Sequence, residues 1–295
     1  MEKVFGIDIS EYQKKMDLAT AKNEGVKFVI IRGGYTGYLN GVSKAKDNTF
    51  ETHYKNAKAN GLGVGAYWYS CATTYENGKA EAEFMYNNCL KDKQFEYPIY
   101  IDVEDTYYQS KAGKTAVTEA IKGFCEYLEN KGYYVGIYAN NNWFNNHIDT
   151  PKLSAYDKWV ANWGKTRPTS PEGGMWQFGG STNATRTNIV AGMVCDQNYA
   201  YKDYPSIVKK AGLNGFKKTS TTDKPEGGKD KPSATIKVGN KVKLKSGAKT
   251  YTGGNLASFV YDRIHIVSQI NGDRAVITYN GVVVAAVKVS DLKLA

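Results

Sequence analysis

Apolar positions come in short runs over the first two hundred residues. They are VFGIDIS (4–10), FVIIRGG (28–34), GVGAYWYS (63–70), PIYIDVE (98–104), YVGIYAN (134–140), KWVANW (158–163), MWQFGG (175–180) and VCDQNYA (194–200). Each is short and rich in β-branched and aromatic residues, the pattern of a strand. Between the first five the period changes. In KTAVTEAIKGFCEYLENKG, the residues Val117, Ile121, Phe124, Cys125 and Leu128 recur at i, i+3, i+4 spacing and Gly132 follows as a stop signal, so a helix is expected there. Strand–helix alternation implies parallel strands, and eight such strands suggest a closed barrel. The interval from KWVANW to MWQFGG is too short for a crossover helix, which needs a dozen or more residues. The expectation is an irregular (β/α)5β3 TIM-like barrel: five strand–helix units, then three nearly bare strands.

The pattern then breaks. KKTSTTDKPEGGKDKPSA, Lys217 to Ala234, has almost no apolar residue and reads as a linker. Beyond it, short alternating runs with NGD and NG turns predict about five strands in some sixty residues, a small all-β SH3-like barrel. The expected organisation is a barrel domain at 1–213, a linker at 214–234 and a small domain at 235–295. Tyr251, Phe259, Tyr261 and Tyr279 are expected in the small core or in a binding groove.

Charge sharpens this division. The 295-residue chain carries +10, unevenly: residues 1–216 hold 25 Lys+Arg against 23 Asp+Glu, residues 233–295 hold nine against three. A basic tail favours an anionic partner such as a wall polymer or nucleic acid. No nucleic-acid motif accompanies it, so no nucleic-acid partner is expected. No apolar run reaches the roughly 18 residues of a bilayer span, and the first ten residues lack a signal peptide's apolar region. Synthesis in the cytoplasm without membrane insertion is therefore expected. Cys71, Cys89, Cys125 and Cys195 show no metal spacing and read as buried reduced side chains. Neither a metal nor an organic cofactor is expected. GGYTG (33–37) lacks the Lys-Ser/Thr of a phosphate loop.

In a parallel barrel, functional groups gather where strands end. Those ends carry Asp8, Arg32, Tyr67, Tyr69, Asp102, Glu104, Tyr138, Asn162 or Trp163, Trp176, Gln177, Asp196, Gln197 and Asn198. Residues i and i+2 share a face about 6.5–7 Å apart, so Asp102 and Glu104 both point inward, whereas Asp105 is expected to be a solvated loop charge. Two inward carboxylates in a semi-apolar mouth cannot both ionise freely, so one holds a proton near neutrality. An acid paired with a base or stabiliser suits glycosidic bond cleavage. Arg32 is expected as a substrate contact or as the buried partner of a mouth carboxylate, and Trp163 and Trp176 as sugar platforms or core residues. Trp68 has the opposite parity to Tyr67 and Tyr69 and is expected to pack under the helices.

GIDISEYQ (6–13), YPIYIDVE (97–104), WQF (176–178) and CDQNYA (195–200), in this order, resemble the family-25 glycoside hydrolases, the muramidases or lysozymes of phages, bacteria and some fungi. The resemblance covers roughly residues 4–204. It implies a (β/α)5β3 barrel that cleaves the β-1,4 bond between N-acetylmuramic acid and N-acetylglucosamine in the peptidoglycan of bacteria. It implies Glu104 as general acid, Asp102 as its partner, and Asp8 and Asp196 as the other acids of the site. Tyr67, Tyr69 and Tyr138 would then hydrogen-bond the substrate's acetamide or close the site against water. Attack by that acetamide and attack by a water activated by an aspartate both remain open. The linker and tail resemble the modular endolysins of phages infecting Gram-positive bacteria, with an SH3-type wall-binding module. A bacterial autolysin and a wall-binding protein without activity are the alternative readings.

Overall fold

A computed structural model describes residues 2–37, 40–179, 188–217, 236–279 and 281–295, apart from the Phe259 side chain. The chain forms two compact units, Met1–Lys218 and Thr219–Ala295.

The large unit carries strands β1 (Val4–Ile9), β2 (Phe28–Thr36), β3 (Lys44–Lys46), β4 (Gly63–Tyr69), β5 (Ile99–Asp102), β6 (Val135–Asn140), β7 (Asp157–Ala161), β8 (Met175–Gly179), β9 (Ile189–Val190), β10 (Met193–Val194) and β11 (Asp196–Ala200). Its helices are α1 (Leu18–Asn23), α2 (Phe50–Ala59), α3 (Tyr75–Met85), α4 (Gln109–Ala112), α5 (Lys114–Asn130), α6 (Asn141–Asn146) and α7 (Tyr204–Ala211). The sheet closes in the order β1–β2–β4–β5–β6–β7–β8–β11 and back to β1, giving a mixed α/β barrel of eight strands with β3 attached to β2 as a hairpin. The anticipated apolar residues of α5 are all buried.

The last strand departs from the all-parallel expectation. β11 runs antiparallel to both β8 and β1. The described part of the return from β8 holds the β9–β10 hairpin and no helix. This reversal brings the first residue of β11, Asp196, directly opposite Asp8 near the end of β1.

Alternation sorts side chains between two cores. Outward residues such as Ile7, Val29, Ile31, Trp68, Ile101 and Ile137 pack in one buried cluster with the apolar faces of the helices. Inward residues fill the barrel with rings: Phe28, Tyr97, Tyr100, Tyr134, Tyr138, Trp159 and Tyr204. Trp159 lies 4.5 Å from Tyr138 and 5.1 Å from Tyr100, ring centre to ring centre. Pairs of this kind contribute about 0.5–1.5 kcal/mol each beyond burial. Space for them comes from glycine. A Cβ at Gly6 would strike the Phe28 ring, and one at Gly136 the Tyr100 ring.

The segment after β11 closes the floor of the barrel. Tyr204 donates to Asp157 Oδ2 at 2.6 Å, and Lys202 pairs with Asp157 at 3.0 Å. Asn214 is fully buried: its Oδ1 accepts from Tyr134 N at 2.7 Å and its Nδ2 donates to the carbonyls of Phe95 and Tyr97. The barrel therefore extends past the expected boundary at 213, because Asn214 satisfies three backbone groups of the floor. The remainder of the expected linker, from residue 218 to 234, lies outside the described residues.

The small unit is a five-stranded antiparallel sheet of β12 (Lys241–Leu244), β13 (His265–Asn271), β14 (Arg274–Tyr279), β15 (Val282–Lys288) and β16 (Leu292–Leu294). Their order is β15–β14–β13–β12–β16. Its core includes Val242, Leu244, Val267, Ile277, Val287 and Leu292, and Tyr261 packs against it. All four cysteines of the chain are buried and reduced, and no helix among the described residues is long and apolar enough to cross a membrane.

Candidate active site

The strand ends of the barrel open onto a cleft of about 510 Å3 lined by Asp8, Arg32, Tyr67, Tyr69, Asp102, Glu104 and Asp196, among others. A smaller hollow at its base, lined by the same four acids, adds Tyr138, Trp159 and Gln177. The four carboxylates, spread over almost the whole barrel sequence, thus share one space.

Strand register explains how. Tyr35, Tyr69, Asp102 and Tyr138 follow one another across β2, β4, β5 and β6 as directly opposed residues. Glu104 lies two residues past Asp102, on the same side. Asp8 Oδ2 accepts from Asn198 Nδ2 at 2.8 Å and from Gln177 Nε2 at 3.0 Å. The same Gln177 nitrogen reaches Asp196 Oδ2 at 3.4 Å, so it bridges the two aspartates. Asp102 is only 4% exposed, and its Oδ1 is buried with no hydrogen-bond partner among the described residues.

Burial and mutual repulsion hold protons in this cluster. Burial pushes Asp8 up to about 6, against the opposing hydrogen bonds from Asn198 and Gln177. Burial, then Asp8 and Glu104, push Asp196 up to about 8. Asp102 is driven well above the usual carboxylate range by burial, then by Glu104 and Asp8, with Arg32 acting the other way. Glu104 is raised by burial and by Asp8. The four acids titrate as a group, and near neutrality the group retains protons.

A stability cost follows. Asp196 has its folded pKa raised above 3.8, so folded protein binds more protons than unfolded between about 4 and about 8, and stability falls as pH rises through that window. Asp196→Asn removes the titrating group. The variant is expected to unfold at a higher temperature than wild type at about pH 9 and at the same temperature near pH 3.5. Calorimetric scans at the two pH values check this.

The other expected site residues divide. Tyr67 and Tyr69 line the cleft, and among the described residues their hydroxyls have no hydrogen-bond partner. Tyr138 also faces the hollow, but its hydroxyl is committed to Gln177 Oε1 at 2.9 Å. Gln177 lines the hollow and holds the site's own side chains. It is buried, and Oε1 also accepts from Trp163 Nε1 at 3.0 Å, so both ends of its amide serve the site's own side chains. Trp163 is 46% exposed and stays beside the mouth.

Trp176 is not a sugar platform. It follows the inward Met175 and precedes the inward Gln177, so it points outward, where it is buried against Phe178 and Tyr199. Arg32 is an ion-pair residue whose partners are not the four mouth acids: Nε donates to Asp47 Oδ2 and Nη2 to Glu11 Oε1, both at 2.8 Å. Asp105 is fully buried rather than solvated. Its Oδ2 accepts from the backbone of Tyr108 at 2.6 Å and Gln109 at 3.1 Å, which caps the turn into α4. That cap fixes the chain immediately after Glu104. Trp68, as expected, is buried under the helices against Phe84.

Sequence reading placed Asn198 among the strand-end groups without giving it a role, and did not single out Tyr12 or Tyr35. Asn198 shares parity with Asp196 in CDQNYA, and Trp159 Nε1 donates to its Oδ1 at 2.8 Å. The signal was present in the i+2 spacing. Tyr35 gave no such signal, because a bulge between Arg32 and Gly34 resets the parity of β2 and turns Tyr35 toward the mouth.

Residues 7–186 match the model of the glycosyl hydrolases family 25. This span includes Asp8, Asp102 and Glu104 and ends before Asp196. The chain is 29% identical over 163 residues to the autolytic lysozyme of Clostridium acetobutylicum, covering 55% of this chain and 46% of that one. It thus spans about half the length of that relative. It is 28% identical over 206 residues to lysozyme M1 of Streptomyces globisporus, covering 66% and 67% respectively. The crystal structure of the CTP1L endolysin superposes with a TM-score of 0.58 at 23% identity over 70% of each chain, which supports the fold.

Proposed function

The chain belongs to the glycosyl hydrolases of family 25, and on that premise we propose that it hydrolyses the β-1,4 bond between N-acetylmuramic acid and N-acetylglucosamine in peptidoglycan. The observation that carries this is the meeting of Asp8, Asp102, Glu104 and Asp196 in one cleft, with Asp102 Oδ1 buried and unpartnered. The complete set of acids speaks against a barrel retained only for binding.

In the proposed reaction, protonated Glu104 gives its proton to the glycosidic oxygen as the bond to the anomeric carbon breaks. Asp102 accepts the N–H of the substrate's 2-acetamido group through Oδ1, and the acetamide oxygen attacks the anomeric carbon. Water then opens the resulting ring, giving up its proton to Glu104. Asp8, held by Gln177 and Asn198 and bridged by Gln177 to Asp196, balances the positive charge that develops at the anomeric centre. Tyr67 and Tyr69 offer free hydroxyls to the sugar.

The small unit is proposed as an SH3-like wall-binding module for Gram-positive walls, with an anionic wall polymer as partner. Two features support this. The region is strongly basic, and Lys243 on β12 stands directly opposite Lys293 on β16. Like charges so placed destabilise a sheet unless a counter-charge is bound. The whole chain is proposed as a phage endolysin that acts on the wall after release from the cytoplasm.

Digestion of purified Gram-positive peptidoglycan tests the reading. Mass spectrometry is expected to find fragments ending in reducing N-acetylmuramic acid. Fragments ending in reducing N-acetylglucosamine, or intact glycan, overturn it. In the same experiment a chain ending at Lys217 is expected to sediment with walls less than the full chain does.

A further inference from the structure

The cleft continues beyond the four acids, and the chemistry above does not use its outer arm. That arm is lined by Glu11, Tyr12, Gln13, Arg32, Tyr35 and Val194. Tyr12 is 77% exposed. A single exposed ring needs no explanation, but this one is held. The Arg32 guanidinium lies 5.3 Å from the centre of the Tyr12 ring and 5.2 Å from that of Tyr35, so one cation braces two aromatic faces.

The brace is itself anchored. Asp47, buried, accepts from Arg32 Nε at 2.8 Å, Glu11 N at 3.0 Å, and Thr49 N and Oγ1 at 2.8 and 2.6 Å. Arg32 spends a further donor on Glu11. Two carboxylates thus neutralise it, so it is not a receptor for an anionic ligand. Its planar fork is left to support rings. The turn that carries Tyr12 is fixed by the capping box between Ser10 and Gln13, and Gln13 Nε2 donates to Val194 O at 3.2 Å. Tyr35 is re-aimed into the cleft by the bulge in β2 and stands directly opposite Tyr69, which stands opposite Asp102. Tyr35 therefore continues the same row of side chains as Asp102, and Arg32 ties the Tyr12 ring to it.

We propose that Tyr12 and Tyr35, braced by Arg32, form a sugar-stacking subsite that takes an N-acetylhexosamine ring of the same glycan strand beyond the ring held at Glu104. A pyranose presents a face of C–H groups to the negative face of an aromatic ring, and its polar edge to a rim such as Glu11 and Gln13 offer. The subsite rests on the glycan-cleaving reading and gives it a preference for longer strands.

The test compares substrates of two lengths. Tyr12→Ala is expected to raise KM for soluble, uncrosslinked glycan strands by about five- to tenfold. It should change KM far less for the shortest oligosaccharide the enzyme cleaves. Tyr12→Trp restores the wild-type KM on the long strands. In the double variant Tyr12→Trp, Glu104→Gln, glycan strands should change tryptophan fluorescence beyond the change seen in the Glu104→Gln parent. Equal effects of Tyr12→Ala on both substrate lengths overturn the subsite, as does fluorescence no different from that of the parent. If the wild-type chain leaves peptidoglycan intact, the catalytic reading fails, and the fluorescence titration still decides the subsite.

Discussion

Replacing Glu104 by Gln is expected to lower kcat on purified peptidoglycan by about 10²–10⁴-fold, the range general acid catalysis supplies, while the protein stays folded. The side chain keeps its shape and loses only its transferable proton. The choice of Glu104 over its neighbours rests on position. Asp102 is sunk deeper, Asp8 is held by two side-chain amides, and Glu104 is the acid of the Asp102–Glu104 pair that stands nearer the open mouth. Stability gives a second readout. Burial raises Glu104 above its ordinary value, so the folded state is penalised once pH exceeds the unfolded pKa of about 4.5. Glu104→Gln removes that penalty, and its unfolding temperature at neutral pH is expected to equal or exceed that of wild type. Turbidity loss and a thermal melt together check the prediction. Activity near the wild-type level in a folded variant assigns the proton donor elsewhere.

Much of this site was legible in the sequence because period 2 is a strict rule. Asp102 and Glu104 had to share a face, Val103 had to leave it, and a strand rich in Ile and Tyr had to anchor them. What failed did so for identifiable reasons. Trp176 and Gln177 are neighbours on one strand, so only one of them can face the barrel; naming both as site residues ignored the rule applied to Asp102. Asp105 obeyed parity but not solvation. Its carboxylate folds back onto the N–H groups of Tyr108 and Gln109, a local capping habit of Asp that the sequence permits without announcing. The direction of β11 was not readable, because β7 and β8 are also joined without a helix and pair parallel, whereas β11 runs antiparallel to both of its neighbours. Asp196 therefore reaches the mouth as the first residue of its strand rather than as one of the last. Tyr35 was beyond reading. A bulge depends on how two strands pair, and no residue in GGYTG states that register.

Replacing Asp102 by Asn is the second large effect, expected to lower kcat by about 10²–10³-fold, as removal of one preorganised electrostatic group does. The reasoning begins from a mismatch. Asp102 is driven well above the usual carboxylate range, by burial and then by Glu104 and Asp8, yet the proposed reaction places the proton on Glu104. The unpartnered Oδ1 resolves this. An acetamide N–H donating to Oδ1 stabilises the charged form of Asp102 and lowers its pKa. The new negative charge beside Glu104 in turn favours protonated Glu104. On the proposed mechanism, substrate binding would thus move the proton from the orienting acid to the donating one. An amide at position 102 cannot ionise, so it neither polarises the acetamide nor holds the proton on Glu104. With the repulsion from residue 102 gone, the high-pH limb of the Asp102→Asn rate profile is expected to shift to lower pH than in wild type. A loss of rate with an unmoved limb gives Asp102 a shape role only. The first-formed anomer, followed by NMR, separates the two routes of attack: β product fits the acetamide as nucleophile, and α product requires water activated by one of the remaining aspartates.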